Sequence, residues 1–204
     1  MKRGEINPSV RVSYQSLNSD GLAASWVRSM GTTKVTFNGV QAQPVTDQYR
    51  SGAIKTVMID ETPTSWTELG NVSQDSAGVV QTYFSPPTLF SRKLVTDERT
   101  DIDRYAIYNP LQNFGSPRQT GQIILVGTET IAVPASTYKT CKFSTQITTD
   151  YTAIGRTDVR RTTTWVSTGI GIVKSEIQDT TTSGFGPNFP ITSTSVTAAS
   201  VQRL

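Results

Sequence analysis

The chain has 204 residues, of which 35% are hydrophobic and 17% charged, with a formal net charge of +3 and no histidine. Without imidazole it can form neither a Ser-His-Asp triad nor a Cys-His pair, and histidine ligation of a metal is excluded. A single cysteine, Cys141, rules out an intramolecular disulfide and any multi-cysteine zinc site. The positive charge is scattered, with Arg92-Lys93 and Arg160-Arg161 as the densest spots, so no nucleic-acid-binding patch is expected.

The length suits one domain over residues 1–204, large enough to remove roughly 70% of its unfolded surface from water. Roughly a quarter of the residues are Ser or Thr and the helix-forming staples are thin, which favours strands. Charged residues fall below the usual share of about 25%, and the mean hydropathy is −0.30. That balance points to an extracytoplasmic β protein. No run approaches the roughly 18 apolar residues of a membrane-spanning helix. No apolar segment follows the basic Met1-Lys-Arg-Gly start, so the expectation is a periplasmic, surface or secreted protein whose leader is absent from this sequence.

In chain order, residues 1–20 are polar and read as a mobile or loosely attached N-terminus with room for a short strand at Val10–Tyr14. Leu22–Ser29 is ambiguous between helix and strand. Thr33–Val40 alternates Val35 and Phe37 with polar neighbours and ends in an Asn38-Gly39 turn signal. Strands are expected at Ile54–Ile59, Trp66–Asn71 and Gly78–Phe84. Ser85-Pro86-Pro87 then reads as a hard break, because proline cannot donate to a ladder. Thr88–Val95 is a strand or a short helix. Asp97–Arg104 is charge-dense and reads as a solvated turn, since it lacks the glycine and distal glutamate of a calcium loop. After a strand fragment at Tyr105–Tyr108, Asn109–Thr120 is loop. Gln122–Val133 is one long strand or two with a bend at Gly127. Two Val/Thr-rich runs follow, Ile131–Ile147 and Arg161–Ile177. Thr180–Pro190 reads as a long hairpin loop, and Ile191–Val201 closes the chain.

This pattern predicts an all-β fold of about nine to eleven strands with little helix, because the strands are short and regularly punctuated by turn signals. Nothing alternates strand with helix as a parallel sheet requires. No nucleophile elbow, phosphate loop or two-carboxylate site is present, so no catalytic residue, metal or cofactor is expected. The aromatic cluster Tyr83, Phe84 and Phe90, with Leu89, is the candidate wall of an apolar ligand cavity. Phe185 and Phe189, in the late loop, are candidate docking points for a protein partner.

Two segments carry a family resemblance. Val133-Pro-Ala-Ser-Thr-Tyr followed by Cys141-Lys-Phe, and Thr163-Thr-Trp-Val-Ser-Thr-Gly-Ile-Gly-Ile-Val-Lys-Ser-Glu176, resemble a motif of uncharacterised exported bacterial domains. Those domains are related to the lipoprotein-carrier (LolA/LolB-like) half-barrels. Ser136 stands where the motif has glycine, and Val166 where it has an aromatic residue. The resemblance implies a curved antiparallel sheet with an apolar concave face, and it implies export. The expected function is therefore a non-enzymatic binding module holding an apolar small molecule or lipid on that face. The alternative is a structural or protein-interaction component of the envelope with a filled core.

Overall fold

The computed structural model describes residues 7–62, 64–91, 96–112, 115–184 and 191–203. Thirteen strands run β1 Val10–Asn18, β2 Ala23–Met30, β3 Val35–Phe37, β4 Val40–Tyr49, β5 Ile54–Glu61, β6 Ser65–Asp75, β7 Gly78–Ser91, β8 Arg99–Asn109, β9 Arg118–Val133, β10 Ser136–Tyr151, β11 Arg156–Ser167, β12 Gly171–Ser183 and β13 Thr192–Arg203. Among the described residues the only helical element is a short 3-10 turn at Thr152–Ile154. All ladders are antiparallel, and the order follows the sequence from β4 to β13, then β1 and β2. Pairing of β2 with β4, from Trp26↔Tyr49 to Met30↔Val45, closes twelve strands into a barrel. The short β3 stands outside it, paired with β4.

The all-β, curved antiparallel expectation holds. The sheet carries slightly more strands than expected, and it closes on itself. The short strand expected at Val10–Tyr14 is present and runs on to Asn18 as β1, so this part of residues 1–20 is tied into the sheet and not loosely attached. β1 lies between β2 and β13, with Val12 fully buried and Tyr14 nearly so. Val10, Val12 and Tyr14 share one face by period two.

Prolines end a ladder here without ending a strand. β7 runs on through Pro86-Pro87 to Ser91, still paired with β6, while its ladder to β8 stops at Ser85↔Tyr105. Proline supplies no N–H for the missing bonds. The charged Asp97–Arg104 segment is corrected in the same way, since most of it is β8. Asp101 and Asp103 are exposed, whereas Ile102, Arg104 and Ala106 alternate inward. The Asn38-Gly39 turn stands where expected, both residues having positive φ. Gly169 lies in the β11–β12 turn and Gly171 opens β12, both with positive φ.

Twelve strands enclose more space than side chains fill, since about eight already give an interior just wide enough to be packed solid. The buried apolar residues accordingly form four separate clusters. One is outside the barrel, where Phe37 and Ala42 of the β3–β4 hairpin cover Met58, Leu69, Val72 and Tyr83. Inside, Arg104 is the most deeply embedded cation. Its Nη1 donates to Glu68 Oε2 at 2.8 Å, its Nε to Gln119 Oε1 at 2.9 Å, and its guanidinium carbon lies 3.4 Å from the centre of the Phe84 ring.

Glycine permits a close approach of β10 main chain to β9 at one point. At Gly121 (φ 158°) an added Cβ would stand 2.0 Å from the Gln146 carbonyl oxygen, whereas at Gly127 (φ 157°) it would meet nothing within 4 Å. Both substitutions strain the backbone, and the first adds a clash with main chain that cannot rotate away. Gly127→Ala is expected to cost about 1 kcal/mol, and Gly121→Ala about 3 kcal/mol or more, measured by urea unfolding. Replacing Arg104 with Met leaves Glu68 uncompensated and should cost about 3 kcal/mol. The double variant with Glu68→Gln should recover part of it. Arg118→Ala, which breaks the exposed pair with Asp103, should leave the melting temperature unchanged.

Candidate functional site

The alternation of β strands sorts the interior by height. Along β5 the lumen-facing residues are Lys55, Val57, Ile59 and Glu61, and along β4 they are Tyr49, Asp47 and Val45. Residues two apart are separated by about 6.7 Å along a strand. Along β5 the lumen thus passes from charge at Lys55 to apolar Val57 and Ile59, with a carboxylate again at Glu61.

The polar chamber, of about 350 Å³, is bounded by Trp26, Arg28, Asp47, Tyr49, Lys55, Arg160, Ile177 and Asp179. Arg28 and Asp47 face each other across the closing seam and pair in a fork, Nε to Oδ1 at 2.6 Å and Nη2 to Oδ2 at 2.5 Å. Desolvation works against the Arg28 charge, but the hydrogen bonds and charge of Asp47 outweigh it and raise its pKa. On the opposite wall Arg160 makes the same two-point contact with Asp179, at 2.7 and 2.9 Å. Three rings run across the seam in a ladder. Tyr14 stacks on Trp26 at 5.3 Å, and Trp26 on Tyr49 at 5.4 Å. The Tyr14 hydroxyl donates to the Ile172 carbonyl at 2.6 Å, and burial pushes its pKa up to about 12.

Arg28 and Val57 also border a second chamber of about 360 Å³, so the two adjoin. Its lining is mostly apolar, with Val45, Ile59, Trp66, Phe90, Phe143 and Val166 as the main contributors. Trp66 and Phe90 pair across β6 and β7, stacked at 4.1 Å. The Trp66 indole N–H is buried and has no hydrogen-bond partner among the described residues. A larger concavity, about 860 Å³, is an open groove at the rim. Consecutive residues Gln15, Ser16 and Leu17 line it, so it spans the strand edge and is not the lumen.

The four aromatic-cluster residues separate. Phe90 lines the apolar chamber. Phe84 is buried under the Arg104 guanidinium and does not border the chamber. Tyr83 points to the other side of β7, against Phe37 at 5.1 Å, and Leu89 is 62% exposed. Phe185 and Phe189 lie outside the described residues. Trp165 is buried in one cluster with Val12, Tyr14, Val173 and Val196, where the β11–β12 ladder shifts register. There Lys142 and Lys174 flank its ring and its N–H donates to Glu129.

The residues that shape the lumen were mostly passed over in the sequence. Arg28, Asp47 and Lys55 are single charges and Arg160 is half of the Arg160-Arg161 pair, and only barrel closure brings the four together. The β10–β12 outer wall carries Gln146, Arg161, Thr163, Glu176 and Gln178. That differs from the apolar band of a membrane barrel. No described helix is long and apolar enough to cross a membrane.

Residues 95–183, which include β8 to β12 and the motif segment, match a family model described as DUF3108-like. No curated protein matches the chain. Among solved structures it is similar to a candidate lipoprotein from Parabacteroides distasonis, with a TM-score of 0.53 and 10% identity over 98% of this chain and 97% of that one. It also aligns with a candidate exported protein of YmcC-like fold from Bacteroides fragilis, over 100% of both chains at 11% identity, with a TM-score of 0.43. At these identities the first likeness is one of fold, and β8–β12 are the part of that fold similar to the DUF3108-like family.

Proposed function

We propose that this protein is an exported, non-enzymatic binding barrel that holds an apolar or lipidic small molecule in its lumen. The observation that carries this reading is the apolar chamber walled by Val45, Val57, Ile59, Trp66, Phe90 and Phe143. Its volume falls in the range of small-molecule sites, about 300–1,000 Å³, which are mostly apolar with a few polar groups. The adjoining charged chamber supplies such groups. Export is supported by the fold likeness to the Parabacteroides candidate lipoprotein and by the charge-poor composition. The resemblance of residues 131–177 to lipoprotein-carrier-like half-barrels points the same way. The absence of histidine from the sequence favours binding over catalysis.

A second reading, an interaction component of the envelope, draws on the rim. Leu17, Leu22 and Ile191 are 58%, 65% and 65% exposed and stand near one another, since Asn18 pairs with Thr194. A protein partner seated there would cover them.

The fluorescent apolar probe N-phenyl-1-naphthylamine separates the two. Binding readings predict a rise in its emission with wild-type protein and its loss in Thr145→Trp, which fills the chamber, with an unchanged far-ultraviolet circular dichroism spectrum. Equal emission from both proteins would sink the lumen reading. A rim interface predicts instead that Leu22→Asp abolishes partner capture while leaving probe emission intact.

A further inference from the structure

We infer that the lumen selects a single-chain anionic amphiphile, with Lys55 receiving its carboxylate or phosphate group and the apolar chamber receiving its chain. This rests on the lumen-binding reading and adds the headgroup chemistry. Arg28, Asp47 and Lys55 form one cross-strand row on β2, β4 and β5, with Asp47 directly opposite both cations. Asp47 gives one oxygen to Arg28 Nε and the other to Nη2, so its carboxylate is already engaged at both atoms. Across the lumen Asp179 is likewise held by both nitrogens of Arg160. The chamber therefore contains three cations and two carboxylates, and Lys55 is the cation left over, with no ion pair or hydrogen bond to a described residue.

The position of Lys55 matters as much as its charge. Its side chain is reached by water, yet desolvation, with Arg160 and Arg28 nearby, lowers its pKa against the opposing pull of Glu68 and Asp47. That combination describes an ammonium standing in a lumen, hemmed in by protein while still wet. An anion arriving there would meet a charge that the protein compensates incompletely. One step along β5, Val57 borders both chambers, and Ile59 lies wholly in the apolar one. A headgroup at Lys55 would thus have its chain directed along β5 towards Trp66 and Phe90. A purely apolar ligand would leave Lys55 unused, and a diffuse polyanion would not fill the apolar chamber.

The test is displacement of N-phenyl-1-naphthylamine by dodecanoate, dodecyl phosphate and dodecanol, which share a chain and differ in headgroup. Wild-type protein is expected to bind at least one anion about tenfold more tightly than the alcohol, the effect of one charged hydrogen bond. Which anion leads assigns carboxylate or phosphate. Lys55→Met should bring the anion-to-alcohol ratio to about one, while Lys55→Arg keeps it, as expected if one charged hydrogen bond at this position makes the difference. Equal binding of all three by wild type, or an undiminished preference in Lys55→Met, overturns the headgroup inference alone. Failure of all three to displace the probe, or of the probe to bind, overturns the lumen-binding reading with it.

Discussion

The seam between β2 and β4 is the constraint on which the molecule depends. Five residue pairs join these two consecutive barrel strands across the β3 excursion, and the inward-facing ones differ in kind. Trp26 meets Tyr49 ring to ring, Arg28 meets Asp47 in a bidentate ion pair, and Met30 meets Val45 in an apolar cluster. Cross-strand pairs of this sort are worth roughly 0.2–1 kcal/mol each, so their sum is modest. Their larger effect is on register. A one-residue slip would turn every inward side chain outward, placing Arg28 and Asp47 on the outer wall and emptying the apolar cluster. Closure also removes the unpaired edges that an open sheet of this length would expose.

Closure then dictates what the inside can be. A ring of twelve strands cannot be filled by its own side chains, and the apolar residues gather in patches on the wall instead of in one core. Arg104 and its partners brace one side, joining β6, β7, β8 and β9 where the β7–β8 ladder has been interrupted by prolines. Elsewhere the wall keeps its concavities, passing from charge to hydrocarbon along β4 and from Lys55 to Ile59 of β5. The binding reading follows from this geometry, because the same wide ring that stops the core from closing leaves adjoining polar and apolar chambers.

Much of the architecture was legible in the residues. Alternation at Val35–Phe37, the Asn38-Gly39 turn and the long Thr-rich runs are local signals, and each lies in the structure where its chemistry placed it. Strands of mixed polarity were harder. Arg99–Asn109 carries buried residues at alternate positions, but its exposed positions are so polar or charged that the average hides the pattern. β7 shows the converse failure, since a Pro-Pro pair that breaks one ladder leaves the other face of the strand free to pair.

For the site, Phe90 was legible as part of an aromatic cluster, but its partner Trp66 and the other lining residues lie on other strands, at positions with no motif. The sequence by itself determined the class of the protein: strands in place of helices, no histidine chemistry, no disulfide, and a period-two pattern able to build one curved sheet. Only the tertiary structure decided that the sheet closes, because closure depends on β1 meeting β13 from the two ends of the chain and on β2 meeting β4 across β3, pairings no local signal encodes. With closure came the allocation of charges. Asp47 neighbours both Arg28 and Lys55, and the fork geometry of the guanidinium, which matches both carboxylate oxygens at once, settles which cation is satisfied and which is left facing the lumen.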